Sequence, residues 1–134
     1  IGPSEEAERR ETMQLICMTC HGSSWIKGFF ERLDNTIRTS NDMVRTETEL
    51  VNTAWQNGYA KGLDSNSSPF DEFIERRWSD TWLMYANNMR FASAMAGGGD
   101  YGVFADGRYH LTNALFEMQS WLETQKMVAP EKNK

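Results

Sequence analysis

The chain has 134 residues, of which 40% are hydrophobic and 25% charged, and its formal net charge is -5. This length and composition predict one modest domain, or a piece of one. The 14 basic residues are scattered among 19 acidic ones, which argues against a nucleic-acid surface, because phosphate binding needs a field of Lys and Arg. No stretch of sequence reaches the roughly 18 consecutive apolar residues of a membrane span.

The first half of the chain predicts two helices separated by a short turn. The first covers 5–16, and its Glu5 and Glu6 complement the positive end of a helix dipole. The second covers about 23–57 and begins after a Ser–Ser pair that can cap it. Mainly apolar residues of this helix recur at alternating spacings of four and three residues and form a narrow seam along one face. The seam residues are Ile26, Phe30, Leu33, Ile37, Ser40, Val44, Glu47, Val51 and Ala54.

A seam of this length is more than a small domain covers by itself, so it predicts a partner helix, for example from another copy of the chain. The alternative is a helix that breaks near 39–41 and folds back on itself, since Thr and Ser are weak helix formers.

The second half predicts two more helices around a loop. Ser68 and Pro69 indicate the start of a helix over about 69–96, with Pro at the first helical position. Five glycines then predict a loop over 97–107, and a final helix follows over about 109–126. Residues 129–134 have the composition of a flexible tail. No strand pattern or internal repeat is present, so we predict an all-α fold with a single domain over 1–128.

The motif at 17–21 has the C-x-x-C-H spacing of a c-type haem attachment site. Two thiols at this spacing reach the two vinyl groups on one edge of a porphyrin, and the next imidazole reaches the iron. The sequence therefore predicts one covalent haem c, bound by Cys17 and Cys20, with His21 as axial ligand. The long helices would then form a bundle or a coiled-coil-like assembly around this single haem site.

Three other interpretations of the motif compete with haem. A thioredoxin-like redox pair would need a strand before the motif. A zinc site needs four ligands, and His110 is the one remaining strong ligand outside Cys17, Cys20 and His21. A disulfide between the two cysteines would close a very short loop and stabilise little.

A haem iron in an electron carrier also needs a sixth ligand. The candidates within this chain are Met84, Met89, Met95 and His110. A free-standing monohaem cytochrome c that shuttles electrons would take its ligand from among them. The sixth ligand can also come from another polypeptide.

The run Arg9–His21, followed by Ser24, Trp25 and a long helix, resembles the last haem motif and helical C-terminal region of the octahaem hydroxylamine oxidoreductase family. The second half follows the same order, with Arg90–Met95, the glycine-rich loop through Asp106 and the helix containing Phe116–Gln119. The resemblance implies a trimer of C-terminal helices. It also implies a loop that reaches over the catalytic haem of a neighbouring subunit.

In oxidising members of that family a tyrosine of this loop is bonded to the catalytic haem. Its position falls on Phe104 here, and Tyr101 could replace it only if the loop is shifted by a gap. The resemblance therefore implies the branch that lacks the cross-link and reduces nitrite or related nitrogen oxides. The polar candidates near the substrate are Tyr101, Asp106, Tyr109 and His110, and Asp106 or His110 could move protons.

The family has eight haem motifs and this chain has one, so the resemblance implies that the catalytic haem lies elsewhere. We expect a multihaem partner chain, or a larger polypeptide of which this is a cleaved part. The first residue, Ile1, agrees with both. The expected function is electron relay in an oxidoreductase complex acting on hydroxylamine, hydrazine or nitrite, with the chain alone not catalytic. Haem attachment further predicts a periplasmic or other extracytoplasmic compartment, such as the anammoxosome of bacteria that oxidise ammonium anaerobically.

Overall fold

A computed structural model of the chain describes residues 1–62, 66–94 and 101–129. For Tyr101 it describes the backbone and not the side chain. Five α-helices and one π-helical turn form this part of the chain, and it contains no strand, so the all-α prediction is confirmed. No helix among these residues has both the length and the apolar character that a membrane crossing needs. In chain order the elements are α1 (Pro3–Cys17), α2 (Ser23–Gln56), α3 (Phe73–Asp80), the π-helical turn (Thr81–Tyr85), α4 (Ala86–Ala94) and α5 (Tyr101–Val128).

The chain divides into two compact units, 1–35 and 36–134, and α2 contributes residues to both. We call them unit 1 and unit 2. This division differs from the single domain predicted over 1–128. Its physical reason is that α1 has no buried residue, so α1 adds no side chain to a hydrophobic core.

Helix α2 is continuous, and the predicted alternative of a break near 39–41 is wrong. Its seam is largely buried within the chain, and among the seam residues only Ile37 is exposed. In unit 2, Val51 and Ala54 of the seam form a core cluster with Ile74, Met118 and Leu122. The prediction that the seam requires a partner helix is therefore wrong for these residues, because α3 and α5 of the same chain cover them.

The third predicted helix, about 69–96, begins later than expected and is not regular. Glu72 is the N-cap of α3, and its side chain and that of Glu75 form a reciprocal capping box. Pro69 instead lies in the turn before this helix, where the Phe70 N–H donates to the Ser68 hydroxyl at 3.2 Å. The π-helical turn then interrupts the helical run after Asp80.

The predicted glycine-rich loop over 97–107 is wrong for 101–107, which belong to α5. Gly107 is buried, and a Cβ atom there would lie 2.9 Å from the Tyr85 carbonyl oxygen and 3.0 Å from the Asn88 Cβ. Gly107 thus allows α5 to approach the π-helical turn and α4 closely, and it does not mark a turn. The predicted loop residues 97–100, the ligand candidate Met95 and the tail residues 130–134 lie outside the described residues.

We expect Gly107→Ala to lower the free energy of unfolding by about 1–3 kcal/mol, since the new methyl group meets a backbone oxygen that cannot move alone. The matched control is Gly102→Ala, at a position of the same helix where a Cβ would meet nothing within 4 Å. This control should leave stability unchanged or raise it by up to about 1 kcal/mol. Urea unfolding followed by circular dichroism measures both, and equal effects would contradict the close approach.

Candidate functional site

The motif at 17–21 forms a tight turn between α1 and α2. The Cys17 carbonyl oxygen accepts hydrogen bonds from the N–H groups of Cys20, at 3.2 Å, and His21, at 3.0 Å. Both cysteines are free thiols; Cys17 is half-buried, whereas Cys20 and His21 are exposed. The turn therefore places two thiols and one imidazole within a single stretch of backbone wrapped around one carbonyl group. Such a set can bind a group that needs two thiol attachments and one nitrogen ligand.

The imidazole of His21 is oriented by an aromatic ladder that the sequence analysis missed. Its ring stacks on Trp25 with 3.9 Å between centroids and 13° between planes, and Trp25 stacks in turn on Phe29. The ring nitrogens of His21 have no hydrogen-bond partner within the described part of the chain. The spacing of four between these three residues was the available signal, because such residues are neighbours on a helix surface.

Arg10 links helix α1 to the first half of α2. Arg10 donates two hydrogen bonds to the Asp34 carboxylate, at 3.0 and 2.7 Å, in the bidentate arrangement that favours Arg over Lys. Its guanidinium also lies 4.7 Å above the ring of Phe30. The hydrogen bonds from Arg10 lower the pKa of Asp34, and burial opposes this shift. The position of Cys17 at the end of α1 thus depends on this contact.

The end of α1 near the thiols is apolar and uncovered. Met13, Leu15 and Ile16 are each more than half exposed, and Met18 within the turn is nearly so. A groove of about 580 Å³ runs along this helix, and its lining combines Met13 and Ile16 with four polar residues, Glu5, Glu8, Arg9 and Thr12. Large apolar side chains clustered at a surface are typical of a site that another group covers.

The structure does not favour the competing interpretations of the motif. The described residues contain no strand, which a thioredoxin-like site would need. Both thiols are free, so no disulfide joins them. In the described part of the chain, one group of three or more possible metal ligands converges within 4.8 Å, and it consists of Asp71, Glu72 and Glu75 rather than the motif. These carboxylates already accept hydrogen bonds from Ser67, Trp55 and backbone N–H groups.

The candidate sixth ligands lie in unit 2. Met89 is buried in a core cluster with Ala86 and Leu111, which is the usual role of Met at helical spacing. Met84 is half exposed in the π-helical turn. His110 is already paired with Asp106, at 3.3 Å from Nε2 to the carboxylate oxygen.

The remaining candidates lie on or near the first turns of α5. Asp106 and His110 form the pair described above, and Tyr109 contacts the His110 ring edge-on. Tyr85, which sequence reasoning missed, stacks on His110 with 5.0 Å between centroids. No sequence signal predicts the contact of Tyr85 with His110, because this contact depends on the close approach of the helices at Gly107. The candidate Phe104 is half-buried and packs on the cluster that contains Met89. The side chain of the candidate Tyr101 lies outside the described atoms.

No protein-family model matches the chain. No curated protein matches it either. A solved structure described as "Hypothetical multiheme protein" matches 95% of the chain with 35% sequence identity and a TM-score of 0.80. The chain spans 24% of that structure's chain. The fold of this chain is therefore similar to that of about a quarter of the matched protein.

We expect Asp34→Asn to loosen α1, because it removes the charge that the Arg10 guanidinium binds. Both side chains are partly exposed and screened by water, so the expected loss of stability is about 0.2–1 kcal/mol. Because the pKa of Asp34 is lowered in the folded chain, this contribution is present above its ordinary value of 3.8 and is lost as the pH falls further. Limited proteolysis within α1 measures the effect at pH 7.

The matched control is Lys27→Gln, which removes a more exposed ion pair with Glu31 on the same helix. It should leave proteolysis of α1 unchanged. Equal cleavage of wild type and the Asp34 variant would contradict the anchoring role.

Proposed function

We propose that the chain is a haem c-bearing part of a multihaem cytochrome and relays electrons within it. The observation that carries the proposal is the turn at 17–21, where two free thiols and an exposed imidazole follow the C-x-x-C-H order. The likeness to a multihaem protein over 95% of the chain supports it. Cys17 and Cys20 would hold the haem covalently and His21 would ligate its iron. When bound, the haem supplies one-electron chemistry.

The surroundings of the turn fit such a group. A porphyrin is a large apolar plane, and the exposed side chains of Met13, Ile16 and Met18 offer apolar surface beside the thiols. Trp25 stacks on His21 and holds the imidazole plane in one orientation. Free ring nitrogens leave His21 able to donate a lone pair to a metal without breaking a hydrogen bond.

We further propose that the complex belongs to the hydroxylamine-oxidoreductase-like proteins and acts on small nitrogen compounds, in the branch without the tyrosine cross-link. Phe104 supports this branch in two ways. It has no phenolic oxygen, and it packs on Ala86, Met89 and Leu111 of its own chain. A residue that bonds to a neighbouring subunit's haem has to reach beyond its own core.

The chain would work as one component of an assembly. Because it spans 24% of the matched multihaem chain, the other haems and the catalytic centre would lie on a partner polypeptide or on further parts of the same one. A homotrimer is the proposed state, and strongly exposed apolar side chains on α4 and α5 support an interface there: Phe91, Tyr109 and Phe116 are each at least 60% exposed. Covalent haem attachment also supports an extracytoplasmic location.

The pair of Asp106 and His110 would serve the active site of a neighbouring subunit. Reduction of nitrogen oxides consumes protons, and an imidazole held by a carboxylate can transfer one. His110 is less than half exposed, and its ring is held in one orientation because it pairs with Asp106 and stacks on Tyr85. The rival function, a free-standing monohaem carrier, would instead need a ligand from unit 2, and Met89 is buried there in the core.

Expression with a c-type haem attachment system tests the central proposal. We expect the wild-type chain to gain the mass of one haem and a visible Soret band that survive denaturation. Cys17→Ser with Cys20→Ser should abolish both, because no thiol remains to form a thioether bond. Thr19→Ser, a change within the motif that keeps the hydroxyl and alters no residue assigned to the haem, is the control and should retain full haem content. A wild-type chain without the Soret band would contradict the proposal.

Turnover of the assembled complex tests the role of Asp106. In the multihaem complex, Asp106→Asn should lower nitrite or hydroxylamine turnover by at least about tenfold, since general acid–base groups contribute on this scale or above. The haem spectrum of the chain should not change. Glu123→Gln, which alters an exposed pair on the same helix, should leave turnover intact. Copurification without any multihaem partner would remove the basis of this role.

A further inference from the structure

Glu47 is a fully buried carboxyl group on the seam of α2. Its exposed fraction is 0%, and neither carboxyl oxygen has a hydrogen-bond partner in the described part of the chain. Three residues earlier Val44 packs on the cluster of Ala86, Met89 and Leu111, and four residues later Val51 belongs to the other core cluster. The carboxyl group therefore lies between two apolar clusters.

An ionised carboxylate in such a place is costly, because no partner replaces the water it has lost. Burial accordingly raises the pKa of Glu47 to about 7, and the nearby Thr81 hydroxyl acts in the opposite direction. Thr81 is itself fully buried. Glu47 is thus protonated over the acidic half of the physiological pH range.

The charged and titratable groups on the facing elements have other partners. None of them contributes to the pKa shift of Glu47, whose causes are burial and Thr81. Glu75 accepts from Trp55, and Arg77 pairs with Glu117 and Asp80. Arg90 donates to Asn87 and Asn41, His110 pairs with Asp106, and the Tyr85 ring stacks on His110.

Thr81 links this carboxyl group to an unusual piece of backbone. It is the first residue of the π-helical turn, and the Ala86 N–H donates to its carbonyl oxygen, five residues back. The Thr81 hydroxyl donates to the Trp78 carbonyl oxygen at 2.6 Å. Because its hydrogen is used there, the hydroxyl oxygen keeps lone pairs that can accept a hydrogen bond. π-Helical turns inside helices are rare and frequently occur at functional positions.

We propose that Glu47 is a proton switch: its buried carboxyl group, which has no partner in the described geometry, turns when protonated to donate to the Thr81 hydroxyl. The Thr81 hydroxyl donates in turn to the Trp78 carbonyl, and this chain of hydrogen bonds holds the π-helical turn. When Glu47 loses its proton, the Thr81 hydroxyl turns its hydrogen toward the carboxylate and leaves the Trp78 carbonyl. The turn at 81–85 then loses a hydrogen bond. The switch does not depend on the haem proposal, because it lies wholly within unit 2.

Amide hydrogen exchange of residues 81–86 in the full chain, corrected for intrinsic base catalysis, tests the proposal. Since the folded state binds the proton more tightly than the unfolded state, the open population should rise by up to about tenfold per pH unit between pH 5 and 7 and then level off. Glu47→Gln, whose amide donates at every pH, should remove this dependence. Glu49→Gln, an exposed change on the same helix, should keep it.

Thr81→Val distinguishes the effect of the hydrogen-bond chain from the effect of burial, because Val removes the hydroxyl and keeps a side chain of similar size. It should raise exchange at pH 5 to the level that the wild type reaches only above pH 7. Unchanged exchange in this variant, or a Glu47→Gln variant with the wild-type pH profile, would overturn the proposal. If neither variant folds, carboxyl ¹³C titration of the wild type decides: a Glu47 midpoint near 7 that also moves the Thr81 signals supports the switch, and one near 4.5 overturns it.

Discussion

The seam of α2 has to be covered along a helix of 34 residues, and each compact unit is built by covering a part of it. In unit 1 its residues Ile26 and Phe30 are buried, and the Arg10 contact with Phe30 and Asp34 brings α1 to the same stretch. In unit 2 the seam residues Val51 and Ala54 form the core with α3 and α5. One helix therefore supplies buried surface to both units.

The seam also explains why Ser40 and Glu47 are fully buried, since they take up positions where the spacing demands an inward side chain. Ser40 is tolerated because its hydroxyl donates a hydrogen bond to the Ile37 carbonyl, whereas neither carboxyl oxygen of Glu47 has a hydrogen-bond partner among the described residues.

Close helix approach in unit 2 depends on Gly107. Without a Cβ at that position, α5 can lie directly on the Tyr85 carbonyl and on Asn88. The same approach brings Leu111 into the cluster of Ala86 and Met89 and lays His110 on the Tyr85 ring. The pairing of His110 with Asp106, one helical turn earlier, follows from α5 being helical there. The candidate proton-transfer pair thus depends on the helix itself, and its stacking on Tyr85 depends on the close approach at Gly107.

The sequence was sufficient for features that depend on local patterns. Helix α2 and the residues of its seam follow from a spacing of four and three, and the turn at 17–21 follows from the motif itself. Pro69 predicts too early a start for α3, because the capping box of Glu72 and Glu75 is a stronger local constraint than a proline at the first helical position. The glycines of 101–107 predict a loop, although they lie in a helix, because glycine permits both a turn and a close helix contact and only the tertiary neighbours distinguish them. The contact of Tyr85 with His110 depends on the same tertiary neighbours, so the sequence does not predict it. The sequence also does not show that Glu47 is buried without a hydrogen-bond partner.

Helix α1 shows how the proposed cofactor would complete unit 1. A 15-residue helix with no buried residue gains little from packing, and short isolated helices are marginal in water. The bidentate contact of Arg10 with Asp34 fixes its middle, but Met13, Leu15 and Ile16 remain exposed toward its end. Thioether bonds at Cys17 and Cys20 would tie that end to a large apolar plane and cover part of this surface. Because covering apolar area stabilises the ordered state, haem attachment and the ordering of α1 would support each other. The motif would then serve as a ligand site and would also complete the packing of unit 1.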